Sequence, residues 1–433
     1  MTILEDAKKN KSNESIRIVC QKEKVERDKL NKAIAKGKVV IVKNHNGDPL
    51  GIGFPLRTKI NVNLGTSASE INLENEFKKI SIVQNYGADT ISDLSMGGKI
   101  DEIREYFIKN SHLPITTVPI YQAIVEIESK EKSPSNVKSF EDDVSPDFTE
   151  DYIFKVIEKQ INDGISSLVI HAGFTLEECK RFKGKRIMGM VSKGGSLTAL
   201  VMNKHNIENP FLKNYDYLLD LLKEKDVVLN LGNAMRSGCI HDKIDEFQIN
   251  EMKLNSKLAK KANERGVQVI IESLGGHISI NQLIKWIKLH KRITNDRPLF
   301  VSGPLPVDKG VGYDHISAAI GGAFASGLGA DYLCAITPAE HLKLPTPEDI
   351  KEGLIACKLA AHTGDSMKFG LNHLFDDDLE LSKNRFLKNW KEQVKFSIDP
   401  EKFLKQHPSS QKDCTMCGKY CALEFSKKYF RDL

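Results

Sequence analysis

The chain predicts an α/β protein whose main body is a closed (β/α)8 TIM-type barrel, and three observations predict it. Short apolar, β-branched runs recur along its length, amphipathic stretches at helical spacing lie between most of them, and polar residues gather at the C-terminal ends of the runs. Strands that alternate with helices give a parallel sheet with helices outside. The alternative, an open doubly wound sheet, needs a glycine-rich phosphate turn after its first strand, and Asn63-Leu64-Gly65-Thr66-Ser67 is not one.

Taken in order, residues 1–55 form a small leading domain with a helical stretch around Val25–Lys36, a short strand Val39–Val42 and turn chemistry at Asn44-His45-Asn46-Gly47-Asp48. The barrel follows over 56–346. Its candidate strands are Thr58–Leu64, Thr90–Leu94, Ile115–Ile120, Ser167–His171, Ile187–Val191, Val227–Leu231, Val267–Ile271, Leu299–Ser302 and Tyr332–Ile336. That is nine where a barrel needs eight, so one belongs to a neighbouring element. Helices are predicted at Glu74–Asn85, Glu102–Asn110, Asp151–Asp163 and Asn250–Arg265. Glu128–Glu150 is charged, aperiodic and bears Pro and Ser, which reads as a long surface loop. After Pro347 the pattern is helical to about Leu404, giving a C-terminal helical region over 347–406. His407-Pro408-Ser409-Ser410 then links it to a tail over 407–433.

With 433 residues, 40% hydrophobic and 28% charged, the composition is that of a globular protein with a large core. The net charge of +5 comes from 63 basic and 58 acidic residues spread along the chain, so no basic face points to nucleic acid. Lys180–Arg186, the densest basic run, reads as a solvated helix end. Met1–Lys8 lacks the apolar segment of a signal peptide, and no stretch reaches the ~18 apolar residues that would span a bilayer. A cytoplasmic protein without a membrane partner is expected. In a reducing compartment the eight cysteines do not suggest disulfides, and Cys20, Cys179, Cys239, Cys334 and Cys357 are scattered as core cysteines are.

The other three are bunched: Cys414-Thr-Met-Cys417-Gly-Lys-Tyr-Cys421. One tight turn at this spacing presents three sulfurs to a single metal centre. A structural zinc site wants four ligands, and no Cys or His follows in Ala422–Leu433. A four-iron cluster on three thiols leaves one iron open, where adenosylmethionine chelates; a zinc knuckle completed by His407 is the alternative. At the strand ends stand Asn61, Asn63, Asp93, Ser95, His171, Ser192-Lys193-Gly194-Gly195-Ser196, Asn233, Arg236, Glu272, His277 and His341. Barrel active sites occupy that end. Ser192–Ser196 offers backbone amides to a phosphate, with Arg236 as the fixed charge. His277 and His341, each beyond a strand, are candidates to share a metal.

At these residues the chain resembles the phosphomethylpyrimidine synthase family, the ThiC-type radical enzymes that make the pyrimidine half of thiamine. The likeness runs from about Leu56 to the tail. It is carried by Lys59-Ile-Asn-Val-Asn63, Gly87-Ala-Asp-Thr90, Thr117-Val-Pro-Ile-Tyr-Gln122, Ile170-His-Ala-Gly173, Gly312-Tyr-Asp-His315, Thr337-Pro-Ala-Glu-His-Leu-Lys-Leu-Pro345 and Cys414-Thr-Met-Cys-Gly418. The resemblance implies a radical adenosylmethionine lyase with a 4Fe-4S cluster on Cys414, Cys417 and Cys421, acting on aminoimidazole ribonucleotide with a one-electron reductant. It further implies substrate contacts from Asn63, Tyr121, His171, Ser192, Gly194, Arg236 and Glu272. His277 and His341 would hold one divalent metal, zinc or iron, and the tail of one subunit would cover the barrel of its homodimer partner.

The departures are in the substrate shell. Ser92 stands where the thiamine enzymes have Met, Lys193 where they have Arg, and Phe300 where they have Tyr. Asn233-Ala234-Met235-Arg236-Ser237-Gly238 replaces their Asp-Gly-Leu-Arg-Pro-Gly, and Glu272-Ser-Leu-Gly-Gly-His277 is one residue longer than their Glu-Gly-Pro-Gly-His. The last gap of the cysteine motif is three residues where many members have four. Such a shift suits a paralogue as well, and hydroxybenzimidazole synthases of anaerobic cobamide biosynthesis start from the same nucleotide. A metal-dependent hydrolase would alternate two histidines on the first strand, where this chain has Asn61 and Asn63. A non-catalytic metal sensor is the remaining alternative class.

Overall fold

The computed structural model describes residues 1–11, 13–131, 149–408, 411 and 414–430, and the side chains of all of these except 128–131. Eight parallel strands close into a barrel: β3 Lys59–Leu64, β4 Thr90–Asp93, β5 Ile115–Thr117, β6 Ser167–Ile170, β7 Val228–Leu231, β8 Val269–Glu272, β9 Leu299–Ser302 and β10 Tyr332–Cys334. They pair in sequence order, and β10 returns to β3 with Leu333 opposite Ile60. Almost every strand residue is buried on both faces, as a sheet lined inside and covered by helices outside requires. Two apolar clusters fill the space between strands and helices, one around Ile157, Leu168, Leu218 and Leu229, the other around Ile91, Phe107, Leu299 and Leu354.

The helices stop and start where their side chains dictate. Thr149 caps Glu150–Asp163 by accepting from the Tyr152 amide, and Gly164 ends that helix with a left-handed backbone. Asp245 and Gln248 form a reciprocal capping box on Glu246–Glu264. Of the expected surface loop over Glu128–Glu150, residues 132–148 lie outside the described residues; helix Pro119–Glu131 precedes them. Ser409 and Ser410 of the expected linker are also outside.

One expected strand is not a strand. Ile187–Val191 is an irregular loop between helices Leu176–Phe182 and Lys193–His205, with Ile187 74% and Met188 54% exposed. The apolar run misled because its side chains face solvent, and Gly189, at φ +65°, breaks extended geometry in its middle. Removing it leaves the eight strands that a barrel needs.

Val39–Val42 is realised as β1, Val40–Val42, but it pairs with a strand that sequence reading missed, β2 at Leu50–Ile52. This hairpin lies across the N-terminal end of the barrel. Val40, Val42 and Ile52 pack with Val228, Ile270, Phe300, Tyr332 and Cys334 of the barrel interior. Gln268, just before β8, pins it by donating to the Ile41 carbonyl at 3.1 Å and accepting from the Ile41 amide at 2.8 Å. Ahead of the hairpin the first helices have their own core around Leu4, Val19, Leu30 and Ile34.

The chain divides into two compact units, Met1–Lys368 and Phe369–Leu433. The second is made of helices Asp376–Phe386, Trp390–Lys395, Pro400–Gln406 and Ala422–Tyr429. It is held by a Trp390–His407 ring stack at 4.1 Å and a Lys388–Glu424 ion pair at 2.9 Å. Among the described residues no helix is long and apolar enough to cross a membrane.

Candidate active site

Inside the barrel the first strand sets a polar layer around Asn61, which is fully buried. Its Oδ1 accepts from Thr90 Oγ1 at 2.9 Å, Ser92 Oγ at 2.9 Å and the Tyr332 hydroxyl at 3.3 Å. Its Nδ2 donates to Asn63 Oδ1 at 2.8 Å and toward Cys334 Sγ at 3.4 Å. Buried amides need such saturation. Asn63 and Ser92 are therefore tied to one another through Asn61. Phe300 lies in the apolar cluster shared with the hairpin, its ring stacked on Tyr332 at 4.1 Å.

Beyond β6 and β7 the backbone closes tightly on His171. Helix Lys193–His205 begins at Ser192, whose Oγ accepts from the Gly195 amide at 3.2 Å and meets His171 Nε2 at 3.2 Å. A Cβ on Gly194 would lie 2.3 Å from His171 Cε1, and one on Gly232 would lie 2.8 Å from the same ring. Glycine at both positions is thus a requirement of close approach. His171 is buried, and its Nδ1 has no hydrogen-bond partner, an orphan polar atom of the kind that a bound ligand satisfies. Burial, assisted by the charge of Arg236, pulls its pKa down to about 3, so the ring is neutral.

Arg236 and Glu272 face each other at 3.7 Å at the ends of β7 and β8. Burial raises the Glu272 carboxyl above its ordinary value, partly offset by Arg236 and by hydrogen bonds from the Asn233 backbone and Ser302. Burial also pushes the Tyr121 phenol up to about 12, which keeps it a neutral donor. Lys193 Nζ sits 5.5 Å over the Tyr121 ring, and burial lowers its pKa while Glu340 works against the shift. Tyr121, His171, Ser192, Lys193, Gly194, Arg236 and Glu272 are therefore brought together.

Asn233, Ala234 and Met235 are placed differently. Their common anchor is Glu251 on the helix after β7, which accepts from Asn233 Nδ2 at 2.6 Å, the Ala234 amide at 2.6 Å and the Met235 amide at 3.0 Å. Asn233 Oδ1 accepts from the Gly275 amide at 3.3 Å, so one carboxamide staples the β7 loop to the β8 loop. The side chains of Ala234 and Met235 join an apolar cluster with Phe174, Phe182 and Phe247. Burial pushes Glu251 up to about 8. Sequence reading missed this residue because an acid on a helix reads as a solvated face; only its place beside Met252 and Asn255 on the buried stripe marked it.

His277 and His341 meet with their Nε2 atoms 3.3 Å apart. Nδ1 of His277 is 2.7 Å from Asp308 Oδ1, and Nδ1 of His341 is 3.8 Å from Asp314 Oδ1. His341 holds a left-handed backbone at φ +62°, an uncommon conformation for a non-glycine residue. Sequence reading missed Asp308, whose loop carries no periodicity. Cys414 and Cys417 are exposed and Cys421 half-buried, on a turn through Gly418 at φ +50° that leads into helix Ala422–Tyr429. Among the described residues no three His, Cys, Asp or Glu side chains are gathered into a metal-binding group.

A family model described as the radical SAM ThiC family matches residues 2–428. Phosphomethylpyrimidine synthase of Methanocaldococcus jannaschii is 45% identical over 430 residues, covering 98% of this chain and 98% of that protein. The phosphomethylpyrimidine synthase of Pyrococcus furiosus is 42% identical over 435 residues, 99% of this chain and 98% of its own. That of Thermoanaerobacter sp. strain X514 is 42% identical over 437 residues, with the same two shares.

Proposed function

This chain belongs to the radical SAM ThiC family, and we propose that it rearranges aminoimidazole ribonucleotide to hydroxymethylpyrimidine phosphate, the reaction of a phosphomethylpyrimidine synthase. It is a radical enzyme that uses adenosylmethionine and a 4Fe-4S cluster, so the sensor alternative falls away. We assign the cluster to Cys414, Cys417 and Cys421. Their donor chemistry fits: three accessible thiols on one turn, outside any disulfide. A cluster held by these three thiols would supply one-electron reduction of adenosylmethionine, with its electron drawn from an external one-electron donor.

One juxtaposition carries the substrate reading: the start of helix Lys193–His205, the Arg236 guanidinium and the unpartnered Nδ1 of His171 surround the same space. Helix-start amides and a guanidinium suit a phosphate. In the reading proposed, Ser192, Lys193, Gly194 and Arg236 hold the phosphate, while His171, Tyr121 and Asn63 orient the ribose and base. Neutral His171 gives or accepts one hydrogen bond without introducing charge. Glu272, raised by burial and beside Arg236, holds or releases a proton at its Oε atoms.

The histidine pair is assigned to one divalent ion, zinc or iron. Two nitrogens bound at ~2.1 Å to one ion lie no more than ~4.2 Å apart, and 3.3 Å is inside that bound. The ion would supply a Lewis acid at the barrel mouth. We further read the protein as a cytoplasmic homodimer in which each tail serves the partner's barrel, as the family likeness implies.

A second reading, hydroxybenzimidazole formation from the same nucleotide, draws on the substitutions Ser92 and Phe300 in the barrel interior and Asn233 in the loop beyond β7, which replace a thioether, a phenol and a carboxylate. A ligand that needs the missing donor or charge is disfavoured by ~1–3 kcal/mol for each. Incubating the reduced protein with adenosylmethionine and aminoimidazole ribonucleotide, then weighing the products by mass spectrometry, separates the two. Hydroxymethylpyrimidine phosphate as the main product supports the first reading, and a benzimidazole in its place overturns it.

A further inference from the structure

An aspartate stands behind each histidine of the pair. Asp308 sits behind His277: its Oδ1 is 2.7 Å from His277 Nδ1, and its Oδ2 accepts from the Ile240 amide at 3.0 Å. Asp314 sits behind His341. Its side chain is 1% exposed, its Oδ2 accepts from the Gly312 amide at 3.2 Å, and its Oδ1, 3.8 Å from His341 Nδ1, has no hydrogen-bond partner. A buried carboxylate oxygen is costly to leave unpaired, and the ring nitrogen that approaches it belongs to the half-exposed His341.

An imidazole binds a metal only through a nitrogen that carries no proton. A carboxylate that accepts at Nδ1 keeps the proton there and leaves the Nε2 lone pair free. Here that arrangement occurs twice in mirror order, Asp308–His277 facing His341–Asp314, with the two Nε2 atoms innermost. We propose that Asp308 and Asp314 are positioning residues that fix the Nδ1-protonated tautomer of each histidine, so that both Nε2 lone pairs face one divalent ion. The inference rests on the two-histidine reading above and adds to it the groups that make the pair a metal site. Asp308 does this directly. Asp314 does it once His341 closes the remaining gap, so its effect is smaller.

The chemistry of Asp308 makes the substitution informative. Both of its oxygens already receive a donor, from His277 and from Ile240, whereas an asparagine offers one acceptor and one donor. Asp308→Asn must either lose the Ile240 contact or present N–H to Nδ1, which selects the tautomer that cannot bind metal through Nε2.

The test uses the full chain, anaerobic and with its iron–sulfur cluster loaded, so that the tail thiols do not compete for zinc. Zinc affinity is measured by chelator competition for the unaltered protein and for Asp308→Ala, Asp308→Asn, Asp314→Asn and His277→Ala. We expect the two Asp308 variants to bind zinc ~10–100-fold more weakly and Asp314→Asn several-fold more weakly, with cluster iron unchanged. Histidine tautomers, read by long-range proton–nitrogen NMR on protein labelled with 15N-histidine before zinc is added, give a signal that a merely structural role would not move. His277, assigned from His277→Ala, is expected as the Nδ1–H form in the unaltered protein and the Nε2–H form in Asp308→Asn. If His277→Ala keeps the zinc, the metal-site reading fails and this inference with it. If His277→Ala loses zinc while both Asp308 variants keep it within twofold, or if His277 is already Nε2–H, the positioning inference alone is overturned. Should Asp308→Ala fail to fold, the near-isosteric Asp308→Asn still decides.

Discussion

At the barrel mouth the ligand groups are already bonded to protein: His171 to Ser192, Asn233 to Glu251, His277 to Asp308. In the cysteine tail the sulfurs lie exposed or half-buried on a turn, and neither the turn nor helix Ala422–Tyr429 contains a buried residue. The mouth is thus organised by folding, and its ligands meet groups whose conformational entropy has already been lost. If the tail thiols hold the cluster as proposed, the tail is organised by what it binds, as small metal sites commonly are. Substitutions should therefore act on binding and stability at the mouth, and on metal assembly in the tail.

The largest test is Cys417→Ala. Cluster absorbance and turnover should both be abolished, while amide protection of the barrel strands in hydrogen exchange stays as it was. A variant that retained full iron and sulfide would break the contrast at its root.

Next in size, Arg236→Ala should weaken the nucleotide by ~1.5–3 kcal/mol, the range for a hydrogen bond to a charged group. The matching nucleoside, which has no phosphate, should be affected much less. Calorimetry on both ligands gives the comparison, and equal losses would show that Arg236 does not hold the phosphate.

Gly194→Ala drives a methyl into the His171 ring and should destabilise by ~1–3 kcal/mol in denaturant unfolding, as overpacking does. An alanine as stable as the glycine would mean that the mouth yields more than its contacts suggest.

The smallest effect is spread over pH. His171 and His290 are both buried with pKa values lowered to about 3, from an ordinary 6.5. Unfolding lets them take up protons, so their contribution to stability is complete above pH 6.5 and declines below it, by up to ~1.4 kcal/mol per pH unit for each. Glu251, raised to about 8, acts in the opposite sense: the folded state keeps its proton, so stability falls as pH rises from 4.5 to 8. Two histidines outweigh one glutamate below pH 6.5 and are silent above it. From pH 6.5 to 8 these three groups together lower stability, and a denaturant midpoint that climbed steadily to pH 8 would contradict these buried states.

Much of this was legible in the sequence, for identifiable reasons. The barrel strands announce themselves because strands buried on both faces read as nearly continuous apolar runs, as in Leu168–Ile170 and Val269–Ile271. Ile187–Val191 satisfied the same pattern without the burial. The double glycine after Ser192 reads as amides offered to a phosphate, and nothing in it announces the His171 ring for which Gly194 makes room. Asn233, Ala234 and Met235 were legible as a loop beside the site, whereas the direction of their side chains is set by Glu251, eighteen residues beyond Asn233 and silent as a motif. The aspartates behind the histidines were hidden for the same reason: their significance lies in a partner across the fold. Strand β2 escaped because Leu50-Gly51-Ile52 is three residues long with a glycine at its centre.

The hairpin across the N-terminal end has a kinetic consequence. A barrel stoppered at one end by Val40, Val42 and Ile52 is a cul-de-sac, with arrivals and departures sharing a single opening. Two substrates that use one doorway cannot enter independently, and the one seated deeper must come first and leave last. On the site proposed above, with its phosphate seat at the strand ends, the nucleotide too would enter and leave by that one opening.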